Sequence, residues 1–502
     1  MTAWWQATAA FWPVGIPLAG AAGAALLRGS VAGQRRTTGV TLALLGLASL
    51  ALAWRVAAVG PLATGFGGWG PPLGLVFVAD RLSAALVLVT ALVGIAAALF
   101  ARADLRRRQE RGGFHPLFLA LLGAVNGAFL TGDLFNLYVW FELMLVTAIG
   151  LLVLDRRPSQ IDGAIRYALI NVFGTIVLLA GIALLYGLAG TLTLADLGRI
   201  VPGLPATPAL GLAFAFILTG FAIKAGVFPV YAWLPASYHT APPAVAAAFA
   251  GLLTKVGIYA ALRLLTAVFP GALGLGDALA VLAGLTMLAG VLGAAAAWDM
   301  RRVLAFHIVS QIGYMLAGIA IGTPEALAAT LFYVVHHIVV KANLFLTAGA
   351  VNRACGSYDL RLCGGLMRER PWFAALFAVP ALSLVGIPPL SGFWAKFLIV
   401  DAAFRAGHVP LAVVALLTSL LTLYSMSKIW SEAFWKTPRT GRPRPRRPDA
   451  RLLVPIALLA AVTLAIGLAA QPLVEYARAA GADLADPARY GALVLGQAGG
   501  RP

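Results

Sequence analysis

Fourteen runs of roughly twenty apolar residues follow one another along the chain, and each is long enough to cross the hydrocarbon core of a bilayer as a helix. They cover about 5–27, 38–57, 73–101, 114–131, 133–154, 166–188, 207–228, 243–264, 274–297, 303–321, 326–350, 372–401, 409–430 and 452–471. In lipid the backbone must satisfy its own hydrogen bonds, so runs of this kind restrict the chain to an all-α polytopic membrane protein. The weakest division is between the fourth and fifth runs, where only Thr131, Gly132 and Asp133 intervene. Residues 472–502 read as a short polar tail with no further span. The first run lacks a basic leader and reads as a helix of the mature protein, not a cleaved signal. Only 11% of residues are charged, against about a quarter in soluble domains, so the bilayer is the fitting solvent.

The net charge of +18 invites a nucleic-acid reading, and its distribution removes it. The arginines lie in short stretches between apolar runs instead of on one soluble face. With the N-terminus placed outside, the loops facing the cytoplasm and their flanks hold 25 basic residues, eight of them between Lys428 and Arg451. The opposite side holds Arg55, Arg199, Arg263, Arg405 and three tail arginines. This asymmetry puts both termini outside the cytoplasm. The Pro- and Arg-rich stretch Lys436–Arg451 reads as a solvated loop beside anionic lipid. Cys355 and Cys363 sit in a basic loop without the spacing or histidines of a metal site, and read as reduced thiols. No metal or cofactor is expected.

Charges inside the spans carry the functional signal. Of six lysines, Lys224, Lys255, Lys341 and Lys396 fall inside apolar runs, and Glu142 lies within the fifth. Each charge at that depth costs about 2.5–3.5 kcal/mol on insertion scales. Snorkelling or structural ion pairing is the plainer explanation. Lys255, about twelve residues into its span, is too deep to snorkel, and the chain has too few intramembrane carboxylates to pair every lysine. A desolvated lysine can exchange a proton as its neighbours change charge, whereas arginine stays protonated. In a chain with 31 arginines, lysine at these positions favours proton exchange. Histidines add relay capacity. His337 shares a helix face with Lys341, with His336 adjacent. His307, Gln311 and Tyr314 form a polar stripe in the tenth span, and His239 lies in the polar connection 237–240, a candidate access point from the cytoplasm. Two Gly/Pro interruptions, at 226–229 and 386–389, each precede a tryptophan and lie five spans apart. Breaks in matching halves point to an inverted-repeat transporter with its site near them.

These stretches resemble a known family. TGDLFNLYVWFELM (131–144), GFAIKAGVFPVYAWLPASYHTAPPAVAAAFAGLLTKVGIYAALR (220–263), DMRRVLAFHIVSQIGYM (299–315), HHIVVKANLFLTAG (336–349) and GIPPLSGFWAKF (386–397) are together similar to the antiporter-like subunits of respiratory complex I and of Mrp-type multisubunit cation/proton antiporters. The phrasing around Glu142 is nearest to the D-type Mrp subunits. The Lys396 position and the short stretch after the last span, without a lateral helix, agree with that resemblance. The resemblance implies about fourteen helices, broken at the seventh and twelfth. It implies helices 1–3 in residues 1–113 and two inverted five-helix repeats, 114–264 and 265–432. Residues 433–502 would hold a basic loop, helix 14 and the tail. It also implies that Glu142 pairs with Lys224, and that Lys255, then His337 or Lys341, then Lys396 continue a proton path. The expected activity is exchange of protons for a monovalent cation, Na+ or K+, in the bacterial cell membrane, within an assembly of other membrane subunits. A proton-pumping subunit of a complex I-type or hydrogenase redox complex is the alternative, and an inorganic-carbon uptake system is a third. Neither of the first two readings places redox chemistry in this chain, whose two cysteines cannot hold an iron–sulfur cluster alone.

Overall fold

In the computed structural model, residues 8–66, 69, 74–270, 274–437, 445, 447 and 449–496 are described. Most of the basic stretch Lys436–Arg451 therefore lies outside the described residues, as do the start of the first apolar run and the final six positions. The helices, in chain order, are α1 (Trp12–Leu26), α2 (Val31–Val59), α3 (Arg81–Asp104), α4 (Arg107–Arg111), α5 (Phe114–Leu130), α6 (Leu134–Leu152), α7 (Pro158–Ala189), α8 (Leu194–Ile200), α9 (Pro208–Ala225), α10 (Trp233–Ser237), α11 (Pro243–Val268), α12 (Gly276–Ala296), α13 (Met300–Ile321), α14 (Pro324–Cys355), α15 (Leu366–Glu369), α16 (Pro371–Val385), α17 (Ser391–Arg405), α18 (Val409–Trp435), α19 (Ala450–Leu468), α20 (Gln471–Leu484) and α21 (Pro487–Leu495). Among the described residues, eleven helices are long and apolar enough to cross a membrane. The shorter apolar helices α1, α5 and α16 lie on three further predicted runs.

The narrow division between the fourth and fifth runs is real. Asp133 caps α6, accepting from the Asn136 N–H at 2.7 Å. The middle linking residue satisfies its backbone elsewhere: Gly132 N–H donates to Val76 O (2.8 Å), and Leu194 N–H donates to Gly132 O (2.9 Å). Val76 belongs to an antiparallel pair, β1 (Leu62–Gly65) and β2 (Val76–Ala79), in the register Leu62–Ala79 to Gly65–Val76. The expected third span therefore starts too early. Residues 76–79 are strand, and the helix opens at Arg81 because Asp80 and Ser83 form a reciprocal capping box. The twelfth run, expected to be broken at 386–389, holds two helices, α16 and α17. The tail departs from the reading. It folds as α20 and α21, whose apolar faces pack onto α14, α3 and α8.

Burial sorts the helices into an interior and a rim. The apolar windows of α11 and α14 are buried throughout and that of α13 nearly so, whereas α2, α7, α18 and α19 leave more than half of theirs on the outside. A helix buried all round touches only other helices, so it is where polar side chains can be held away from lipid. Lys255, His307, His336, His337 and Lys341 all lie on these three helices.

Candidate functional site

Two arrays of polar groups meet at the junction of α9 and α11. Lys224 is the penultimate residue of α9, which Gly226 ends at φ +77°. Its ammonium donates to the Asn171 carbonyl (3.1 Å) and to Thr175 Oγ1 (2.9 Å), both on α7, and lies 5.7 Å from the centre of the Phe141 ring. Glu142, on α6, is half-buried, and its charge acts on the Lys224 ammonium. The direct Glu142–Lys224 pair implied by the resemblance is not formed: among the described residues no ion pair within 4 Å joins them. The ammonium is turned towards α7, where a carbonyl and a hydroxyl hold it. Glu142 shares the outer face of α6 with the exposed Phe135, Val139 and Val146.

Gly257 brings the second array close. A Cβ there would lie 2.6 Å from the backbone nitrogen of Ala225, so only glycine lets α11 seat against the end of α9 beside Lys224. Lys255 is fully buried, and its ammonium donates to Ala250 O at 2.5 Å. Residues 249–253 form a π turn, which displaces the regular i−4 pattern and frees a carbonyl to face the lysine.

Beyond Lys255 the groups crowd together. The charges of Lys255 and Lys396 both act on Lys341, and those of Lys255 and Lys341 act on His337. Lys341 donates to Leu304 O (3.2 Å). His337 is fully buried with neither ring nitrogen bonded to protein, a position where only solvent or a neighbour's movement can complete its hydrogen bonding. His336 Nδ1 meets Ser391 Oγ (2.8 Å), and His307 Nε2 meets Ser425 Oγ (2.6 Å). Lys396 donates to Val385 O (2.8 Å) and Ser419 Oγ (3.1 Å). Its stem crosses Gly386, at φ +99°, where an added Cβ would lie 3.0 Å from the lysine Cδ. Tyr314 links the groups: its ring lies 5.1 Å below the Lys396 ammonium, its hydroxyl is 2.9 Å from Ser419 Oγ, and it stacks on Tyr333. Tyr333 in turn donates to Gln311 Oε1 (2.5 Å).

The structure thus gathers Lys255, His337, Lys341, His307, His336 and Lys396, with Lys224 and Glu142 at one end. It sets His239 apart. That imidazole lies at the Arg-rich face, its Nδ1 2.9 Å from Pro235 O, and burial, reinforced by the Arg301 guanidinium, pulls it below the usual histidine range. A separate polar cavity of about 200 Å³ is bordered by Asp104, Arg106, Asp155, Arg301 and Thr240, the residue after His239. Sequence reasoning missed Asn171, Thr175, Ser391, Ser419 and Ser425. The run Thr418, Ser419, Thr422 and Ser425 recurs at helical spacing, which is a signal that could have found the last two.

Comparison with known proteins agrees with this architecture. Residues 131–422 match the family described as NADH:quinone oxidoreductase/Mrp antiporter, TM. The chain is 43% identical over 458 residues to the D-type subunit of the Na(+)/H(+) antiporter of Alkalihalophilus pseudofirmus, covering 91% of this chain and 93% of the relative. A chain in the structure of the Mrp complex from Dietzia sp. superimposes with a TM-score of 0.89 at 35% identity, covering 98% of this chain and 99% of that one. A chain of the membrane-bound sulfane sulfur reductase, an archaeal respiratory membrane complex, superimposes with a TM-score of 0.90 at 26% identity, covering 97% and 99%. With the family's pattern spanning more than half its length and a relative matched nearly end to end, this multi-pass membrane protein belongs to the NADH:quinone oxidoreductase/Mrp antiporter family and is similar to its D-type antiporter subunits.

Proposed function

We propose that the chain is the proton-translocating subunit of a multisubunit Na+/H+ antiporter in the bacterial cell membrane. One observation carries this reading: a line of ionisable side chains centres on α11, α13 and α14, whose apolar windows are buried throughout or nearly so. Its lysines are held by neutral carbonyls and hydroxyls, not locked in ion pairs. A lysine held this way can lose its proton and regain it without leaving a partner carboxylate stranded. Glu142 acts on Lys224 as the switching charge. Lys255 is the middle of the path, His337 and Lys341 continue it with His307 and His336 alongside, and Lys396 ends it. His239 sits beside the entry at the Arg-rich face. The chain itself performs no redox chemistry. Partner membrane subunits complete the assembly, and the relative's name supports Na+ as the exchanged ion.

The topology assigned to this reading has residues 1–113 before two inverted five-helix repeats, 114–264 and 265–432, with residues 433–502 following. The interruptions between α9 and α10 and between α16 and α17 occupy matching places in it. The Arg-rich face is cytoplasmic and both termini are outside.

The test is Na+-driven pH change in vesicles containing the whole assembly. Glu142→Ala or Lys224→Ala should abolish it while the assembly remains in the membrane; normal exchange in either variant removes that residue from the relay. The family also includes subunits of redox complexes. That reading predicts proton movement only when an electron donor is supplied, and Na+-driven exchange without a donor rules it out.

A further inference from the structure

A second charged cluster lies at the opposite end of α11, on the face away from the Arg-rich loops. Lys255, Tyr259 and Arg263 are four residues apart, so they share one side of the helix, and the last lies about 12 Å beyond the first. Arg263 reads from sequence as a loop arginine, yet it is 3% exposed. Its guanidinium bonds the buried Asp80 at 2.6 Å and the Tyr259 hydroxyl at 3.4 Å, between the rings of Tyr259 and Tyr490. Tyr259 donates to Phe129 O. Outside this layer is a cavity of about 350 Å³ bordered by Asp80, Arg263, Asp483, Arg489, Tyr490 and Pro61. Asp483 pairs with Arg81 and with Arg489, the Tyr476 hydroxyl donates to Arg81 O, and the charge of Asp133 reaches Tyr490.

A clamp fastening α20 and α21 to α3 would need only the pairs made by Asp483. It leaves unexplained why Asp80 and Arg263 are buried between Lys255 and a cavity. It also leaves Arg263 Nε and the Tyr490 hydroxyl buried without a protein partner, an expensive arrangement for a purely structural joint. The geometry points to a proton port that branches from the line at Lys255, beside the route that ends at Lys396: Asp80 receives protons arriving from Lys255 and passes them to this cavity, with Arg263 and Tyr490 closing the passage between transfers. In each cycle a proton leaves the Lys255 ammonium, crosses past Tyr259 and binds an Asp80 oxygen, which releases Arg263. The proton then leaves to cavity solvent, and the ion pair re-forms. This port rests on the relay reading of Lys255.

The experiment uses the complete assembly in proteoliposomes. Asp80→Asn should slow Na+-driven proton movement at least tenfold, and Asp80→Glu should recover part of the rate with a displaced pH profile, which a mere clamp would not give. In a Cys355→Ser, Cys363→Ser background, Leu493→Cys places a thiol at the cavity wall. A membrane-impermeant methanethiosulfonate should then stop transport when applied from the tail face only, judged against the same preparation before labelling. An assembled Asp80→Asn variant with wild-type rate and pH profile overturns the port, as does full transport after Leu493→Cys has been labelled. Should Asp80→Asn fail to assemble, the labelling result decides. Lys255→Ala separates the two ideas: retained transport defeats the relay itself, whereas lost transport with both port results negative defeats the port alone.

Discussion

Lysine and arginine bring the same charge into the membrane, and only lysine can readily give its proton away. Lys255→Arg should therefore insert and assemble normally yet lose at least tenfold in Na+-driven proton movement; full activity would make Lys255 a structural cation. At Lys224 the hydroxyl of Thr175 supplies one of two acceptors. Thr175→Val should slow exchange several-fold, with Thr175→Ser close to wild type, measured in the same vesicles. The depths of Lys224, Lys255, Lys341 and Lys396 are legible in the sequence because an ionisable group in an apolar run is conspicuous. Their partners are not. Asn171 contributes a backbone carbonyl, and Thr175, Ser391 and Ser419 are hydroxyls of a kind that routinely bonds its own helix, as Ser419 also does to Ala415 O. The turn of the Lys224 ammonium towards α7, away from a direct bond to Glu142, is equally invisible to residue spacing.

Among the elements, α11 shows how backbone irregularity and close packing place a side chain. Gly257→Val would drive a Cβ into the Ala225 backbone and force α9 and α11 apart. Overpacking of this kind costs about 1–3 kcal/mol, so the purified assembly should unfold at lower temperature and exchange should fall sharply; unchanged melting and transport would show that the helices need no such contact. Most helices are legible because twenty-residue apolar runs leave few alternatives. The β pair, the π turns and the amphipathic tail helices are not. Val76–Ala79 is apolar enough to merge with the span after it, and only the Asp80–Ser83 capping box separates the two. No residue type announces a π turn. Helices α20 and α21 are 14 and 9 residues long, too short to cross a bilayer, and are stabilised by docking more than by intrinsic propensity.

Taken whole, the molecule keeps its ionisable groups in an otherwise apolar interior behind a largely apolar rim, and the half-buried carboxylate of Glu142 breaks that pattern. On α6 it keeps company with Phe135, Val139 and Val146, each at least 45% exposed. A carboxylate facing lipid is costly, so a neighbouring subunit should cover this face. Val146→Cys should be labelled by a lipid-phase maleimide in the isolated chain and protected in the assembly; equal labelling in both would place the partner elsewhere. The tail carries a different kind of consequence. Arg81 finds its carboxylate at Asp483, 402 residues later, and Tyr476 reaches back to the same turn of α3. A ribosome must therefore insert almost every span before the start of α3 can acquire its last neighbours. Until then Asp80 and Arg263 lack the cover that Tyr490 provides. Packing at this end of the molecule is thus completed only at the closing stage of synthesis.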